Sequence, residues 1–217
     1  MAKSGPRGQS TDAEQSRSAD TRAALVLAAI GALREVGFSR ASAREIARRA
    51  GCNQALVFYH YGSVTGLLLA ALDEVSERRL ATYRGLVGRA DSLTKLVESA
   101  RAIFAEDLAA GHVSVLIEMI TAAQSDAGLG DQVGARLAPW RDLAESAVRE
   151  ALAGSPLAAM LPAREVAHGI VAGFLGLELL ANLDRDASRA LALFDRARML
   201  ASLLDLTGGL GLLPRTE

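Results

Sequence analysis

The stretch SAREIARRAGCNQALVFYHYGSV, residues 42–64, constrains this chain more than any other part of it. Ser42 followed by Glu45 is a capping box, in which each side chain satisfies a backbone N–H at the start of a helix. Ile46, Ala47 and Ala50 recur at helical spacing and supply an inward face. Gly51 ends that helix, because glycine takes the left-handed conformation that a sharp reversal needs. Asn53 can cap a second helix, and Gly62 with Ser63 closes it and opens a third. The pattern is therefore two short helices about a tight turn. The second is held at both ends and carries Gln54, Tyr59 and His60 outward.

The rest of the chain agrees with a helical reading. Half of its 217 residues are hydrophobic, enough to bury a sizeable core. Ala, Leu, Arg and Glu dominate, and no apolar/polar alternation of the strand type occurs, so the expected fold class is all-α. A first helix is expected over about 21–36, with Leu25, Val26, Ala29, Ile30 and Leu33 inward and Gly37 as its stop. A helix from 63 to about 87 should join the front end to the remainder. Further helices are expected at about 92–110, 113–125, 129–153, 164–183 and 187–206. Pro139 should either kink the third of these or mark a first turn. Residues 1–18, rich in Ser, Gly, Gln and charge, are expected to be mobile, with Lys3, Arg7 and Arg17 solvated. Residues 207–217 form a Gly-rich tail.

Charge is unevenly distributed. The chain carries a net −1, yet residues 21–66 hold six Arg against two Glu, a net of +4, while residues 67–217 carry a net of −5. This suits a cationic face that meets phosphate and an acidic body that stays off it. The lone Cys52 excludes an internal disulfide and is expected to be a small buried group in the turn. Residues 1–20 lack an apolar run, so no signal peptide is expected. The apolar stretch 166–183 is interrupted by His168 and Glu178 and reads as a buried bundle helix rather than a membrane span. A cytoplasmic location and no membrane partner are the expectations. His60, His112 and His168 lie far apart, so no metal site is expected. No phosphate-binding loop, dinucleotide fingerprint or nucleophile elbow occurs, so no cofactor and no catalytic residue is expected, and the chain is not read as an enzyme.

Four segments carry a resemblance: TRAALVLAA (21–29), GF (37–38), SAREIARRAG (42–51) and ALVFYHYGS (55–63). Together they resemble the N-terminal DNA-binding domain of TetR-family transcriptional regulators. The resemblance implies a mobile arm at 1–20, a helix-turn-helix domain at 21–66 and a helical ligand-binding and dimerisation domain at 67–217. It implies a homodimer on a palindromic double-stranded DNA operator, most simply a repressor, released by a small-molecule effector. The DNA-contacting set it implies is Ser42, Arg44, Asn53, Gln54, Ala55, Leu56, Tyr59 and His60. Arg can pair with guanine, Gln with adenine, and Ala or Leu can touch a thymine methyl. Two positions depart from the family's habit: Phe58 stands where Tyr is common and Val64 where Lys is common, which removes two backbone contacts.

For the body, Phe104, Glu118, Met119, Gln124, Trp140 and Glu178 are candidate effector-pocket residues. Gly169, Gly173, Phe174, Leu177, Leu191, Phe194 and Leu200, on the two most apolar helices, are candidate dimer-interface residues. The alternative expectation is a helical ligand-binding or protein-interaction module that keeps the helix-turn-helix without binding DNA.

Overall fold

The computed structural model describes residues 8–153, 158 and 160–206, apart from the side chains of 8–14 and His112. Lys3, Arg7, the break expected at 154–156 and the tail at 207–217 lie outside the described residues. Among the described residues ten α-helices follow one another: α1 (Gly8–Val36), α2 (Ala43–Ala50), α3 (Ala55–Tyr61), α4 (Val64–Val87), α5 (Leu93–Ala110), α6 (His112–Ala123), α7 (Ala127–Arg136), α8 (Ala138–Leu152), α9 (Ala163–Asp184) and α10 (Ser188–Leu206). No strand occurs among the described residues.

Local signals account for most helix ends. Ser63, Ser92 and Asp126 each accept a hydrogen bond from the third residue beyond, at the starts of α4, α5 and α7. Gly51, Gly62 and Gly111 close α2, α3 and α5 with positive φ. α1 departs from expectation: helix begins at Gly8, well ahead of residue 21, so residues 8–20 of the supposed mobile arm extend α1, with residues 15–20 exposed. The helix expected over 129–153 is two helices. Pro139 stands in the first turn of α8, where its missing N–H costs nothing, so it starts a helix rather than kinking one.

Two apolar clusters hold the molecule together. The larger joins Leu25, Ala29 and Leu33 of α1 to Ile46, Val57, Leu67 and Leu68, and continues into Val115, Met119, Leu129 and Val133 of α6 and α7. Front end and body thus share one core, and α4 runs through both. The smaller is built on Phe104, with Phe174 and Phe194 against it at ring-centroid distances of 5.5 and 5.2 Å. Beside it, Asp205 of α10 accepts hydrogen bonds from the amides of Leu93 and Thr94, so the last helix caps the start of α5.

α9 is not the buried bundle helix expected. Only 17% of its 18-residue apolar window is buried. It is the one helix of the described residues long and apolar enough to cross a membrane. Glu178 and Ala181 face inward, with Phe174 and Leu177 against the smaller cluster, while Gly169, Ile170, Gly173, Leu180 and Leu183 face out.

Candidate functional site

The turn between α2 and α3 is built as the sequence suggests, with one exception. Ser42 Oγ accepts from the Glu45 amide at 3.3 Å, but the Glu45 carboxylate does not return to Ser42. Instead it accepts from Arg48 and Arg49, and those hydrogen bonds hold its pKa down to about 2. The Ser42 amide donates to the Arg40 carbonyl instead. Only half of the capping box forms. Gly51 at φ 67° donates to the Ala47 and Arg48 carbonyls, and Cys52 donates to Ala47, which fixes the reversal. Asn53 Oδ1 accepts from the Ala55 amide at 2.8 Å and so caps α3.

The far end of α3 is pinned as firmly. The Tyr61 hydroxyl donates to the Arg22 carbonyl at 2.9 Å, with the Arg22 guanidinium 5.6 Å from the ring centre. Gly62 then turns the chain through 65° into α4. A Cβ at Gly66 would fall 2.5 Å from the Tyr61 carbonyl, so only glycine allows this tight junction.

Between its pinned ends, α3 exposes Ala55, Phe58 and Tyr59, with Gln54 just ahead of it, and Ser42 and Arg44 of α2 are exposed as well. Tyr59 is 80% exposed, unusual for an aromatic side chain on a folded surface. Two of the expected contact residues stand differently. Leu56 is half-buried against the large core, because its position falls on the inner stripe of α3. His60 is half-buried too, edge-on to Tyr59 at 4.8 Å. Val64 packs on the core, and the Tyr61 hydroxyl is already committed, so neither supplies a missing backbone contact. Of the six front-end arginines, Arg48 and Arg49 are paired with Glu45 and Glu35. Arg22, Arg34, Arg40 and Arg44 carry the unbalanced charge.

A second feature lies in the body: a cavity of about 340 Å³ among α4, α5, α8 and α9. Of the six pocket candidates, Trp140 and Glu178 line it. The other four candidates do not. Phe104 is fully buried in the aromatic cluster, and Met119 is fully buried in the large core. Gln124 is exposed at the end of α6. Glu118 instead accepts the Phe38 amide at 2.7 Å, holding the loop after α1 against α6. What the sequence reading missed is α4. Leu72, Val75, Ser76, Arg79 and Tyr83 follow one another at helical spacing and form the cavity's floor.

Polar ties from α5, α7, α8 and α9 converge on α4. Arg136 makes a two-pronged pair with Asp73, at 2.7 and 3.0 Å. Trp140 Nε1 donates to Ser76 Oγ at 2.8 Å. Arg79 contacts Asp107 directly and lies 3.6 Å from Glu178, and the Tyr83 hydroxyl donates to Asp107. Burial raises the Tyr83 pKa. Burial also pushes Glu178 up to about 7, with the Arg79 charge pulling the other way. A carboxyl raised above its ordinary 4.5 contributes stability that is complete below pH 4.5 and lost as pH rises through about 7. Unfolding free energies of the native chain and of Glu178→Gln, compared across that window, should therefore converge on a non-parallel course, the native falling relative to the variant. Parallel curves would exclude the raised carboxyl.

Residues 25–71 match the family model of bacterial regulatory proteins, tetR family. The chain is similar to that family over this segment. It is 32% identical over 113 residues to an uncharacterised HTH-type transcriptional regulator of Mycobacterium tuberculosis, covering 52% of this chain and 58% of that one. It is 27% identical over 121 residues to the regulator CymR of Pseudomonas putida, covering 54% and 58%. The chain thus spans under three-fifths of the length of the curated relatives it matches. Its fold matches that of a Rhodococcus regulator assigned to the TetR family, with a TM-score of 0.70 at 22% identity over 83% of this chain and 98% of that one. It also matches the regulator FadR of Bacillus subtilis, solved with stearoyl-CoA, with a TM-score of 0.71 at 13% identity over 82% and 96%. Such relatives are transcriptional regulators and not enzymes.

Proposed function

We propose that this protein is a dimeric transcriptional repressor whose α3 enters the major groove of a palindromic operator, and that an effector in the body cavity releases it. The observation that carries the reading is the free outer surface of α3, rigid at both ends and flanked by the exposed, unpaired Arg44. Gln54 and Tyr59 are its readers, and Ser42, Arg44, Asn53 and Ala55 set it on the duplex. Half-sites should lie about 34–36 Å apart or somewhat more.

Release follows from α4, which begins just after the end of α3 and forms the cavity floor from Leu72 onward, eight residues into the helix. An effector that binds unequally to two positions of α4 shifts the population between two spacings of the paired α3 helices.

Gel shifts with the DNA flanking the protein's own gene test this. Gln54→Ala and Tyr59→Ala should each weaken binding about 5- to 100-fold, the equivalent of about 1–3 kcal/mol, while circular dichroism stays native. The absence of any shift by the native chain would favour the interaction-module reading that Phe58 and Val64 keep open.

A further inference from the structure

We propose that the effector is a compact apolar molecule bearing one uncharged hydroxyl, which donates to Glu178 Oε1 and accepts from Arg79 Nε. This deepens, and rests on, the ligand-responsive reading above.

The cavity's inventory of polar atoms leads there. Its walls are mostly Leu, Val, Ala and Ile, so the body of an occupant must be apolar. The cavity volume lies near the lower end of the roughly 300–1,000 Å³ typical of small-molecule pockets, so the occupant is compact. Arg136 is taken by Asp73, Trp140 by Ser76, and the Tyr83 hydroxyl by Asp107. Two atoms among the described residues stay buried with no hydrogen-bond partner: Arg79 Nε and Glu178 Oε1. Glu178 is 2% exposed, so water does not satisfy it in bulk.

One free donor and one free acceptor, on groups of opposite charge, select the head group. A carboxylate or phosphate would reach Arg79 but would face Glu178 and Asp107, with no uncommitted cation to offset them. An ammonium would reach Glu178 but would sit beside the Arg79 guanidinium. A hydroxyl both donates and accepts, and it adds no buried charge. Burial of Glu178 agrees with this, since it already disfavours concentrating charge at that end of the cavity.

Trp140 is the only tryptophan and lines the cavity, so its fluorescence reports occupancy. The full chain would be titrated at about pH 8, above the Glu178 pKa of about 7, with 1-decanol, decanoate, decylammonium and decane. The alcohol should bind about tenfold or more tightly than each of the other three. Glu178→Leu should reduce the alcohol to the level of the hydrocarbon, and Glu178→Gln, which keeps an acceptor oxygen, should retain the preference. A carboxylate or ammonium that binds as well as the alcohol overturns the proposal. So does an alcohol preference that survives in Glu178→Leu, or a Trp140 signal indifferent to all four probes. Gel shifts with the same probes keep the two readings apart: an alcohol that binds selectively without releasing DNA upholds the site chemistry and overturns the release mechanism.

Discussion

Replacing Arg79 with Met should lower the stability of the folded chain by about 3–5 kcal/mol, read from urea unfolding at neutral pH. The loss is not that of a surface ion pair, which is worth about 0–1 kcal/mol. Arg79 is a cation with 12% of its side chain exposed, set between two carboxylates that are almost fully buried. Without it, Asp107 loses the guanidinium beside it and Glu178 faces Asp107 with no intervening positive charge. Tyr83 and Trp140, whose rings lie 5.7 and 5.4 Å from the guanidinium carbon, lose a cation against their faces as well. A companion variant identifies the cause. Adding Asp107→Leu and Glu178→Leu to Arg79→Met should restore most of the lost stability, because well-packed apolar groups of similar volume often replace a buried charged cluster at little cost. A loss under about 1 kcal/mol for the single variant would show that water reaches these groups and screens them.

The same cluster shows where sequence reading stops. Turns and caps are encoded within three or four residues, so Asn53, Gly51, Gly62 and Ser63 announce α3 and its neighbours directly, and the structure forms them as read. Ser42 shows the limit even there, since Glu45 has a choice of partners and the arginines one turn on outcompete the Ser42 amide. The cavity is assembled from α4, α5, α8 and α9, whose contributing residues lie scores of positions apart. Helical periodicity marks an apolar stripe but does not say what it faces. Glu118 and Glu178 look alike in sequence, each a carboxylate among apolar residues. One serves the Phe38 amide and the other the cavity, because α6 packs on the front end while α9 packs on the body. α9 and α10 are apolar on more than one side, so period alone cannot separate their inner face from their outer one. That is why Phe174, Leu177, Leu191 and Phe194, read as dimer contacts, turn out to pack on the cluster around Phe104.

The outer face of those two helices sets the last expectation. Among the described residues, ten of the fifteen large hydrophobic side chains exposed in the single chain lie on α9 and α10, including Leu180, Leu183, Leu193, Leu200 and Leu203. So concentrated an apolar surface is rare on a monomer and marks a contact face. Arg189, Asp195, Arg196 and Arg198 are interspersed along α10, a mixture that suits a protein partner better than hydrocarbon. A Cβ at Gly169 or Gly173 would meet nothing within 4 Å, so packing inside the chain does not account for these glycines. The close approach of a second copy of α9 would. Leu183→Glu combined with Leu200→Glu would put four charges into such a twofold contact. The double variant should sediment as a monomer with unchanged helicity. It should lose about 10²- to 10⁴-fold in operator affinity although no DNA-facing residue is altered, because each reading head would then bind without the effective concentration its partner provides. A variant that remains dimeric would place the contact elsewhere. One that becomes monomeric yet holds the operator as tightly as before would remove pairing from the mechanism, leaving α3 to recognise DNA alone.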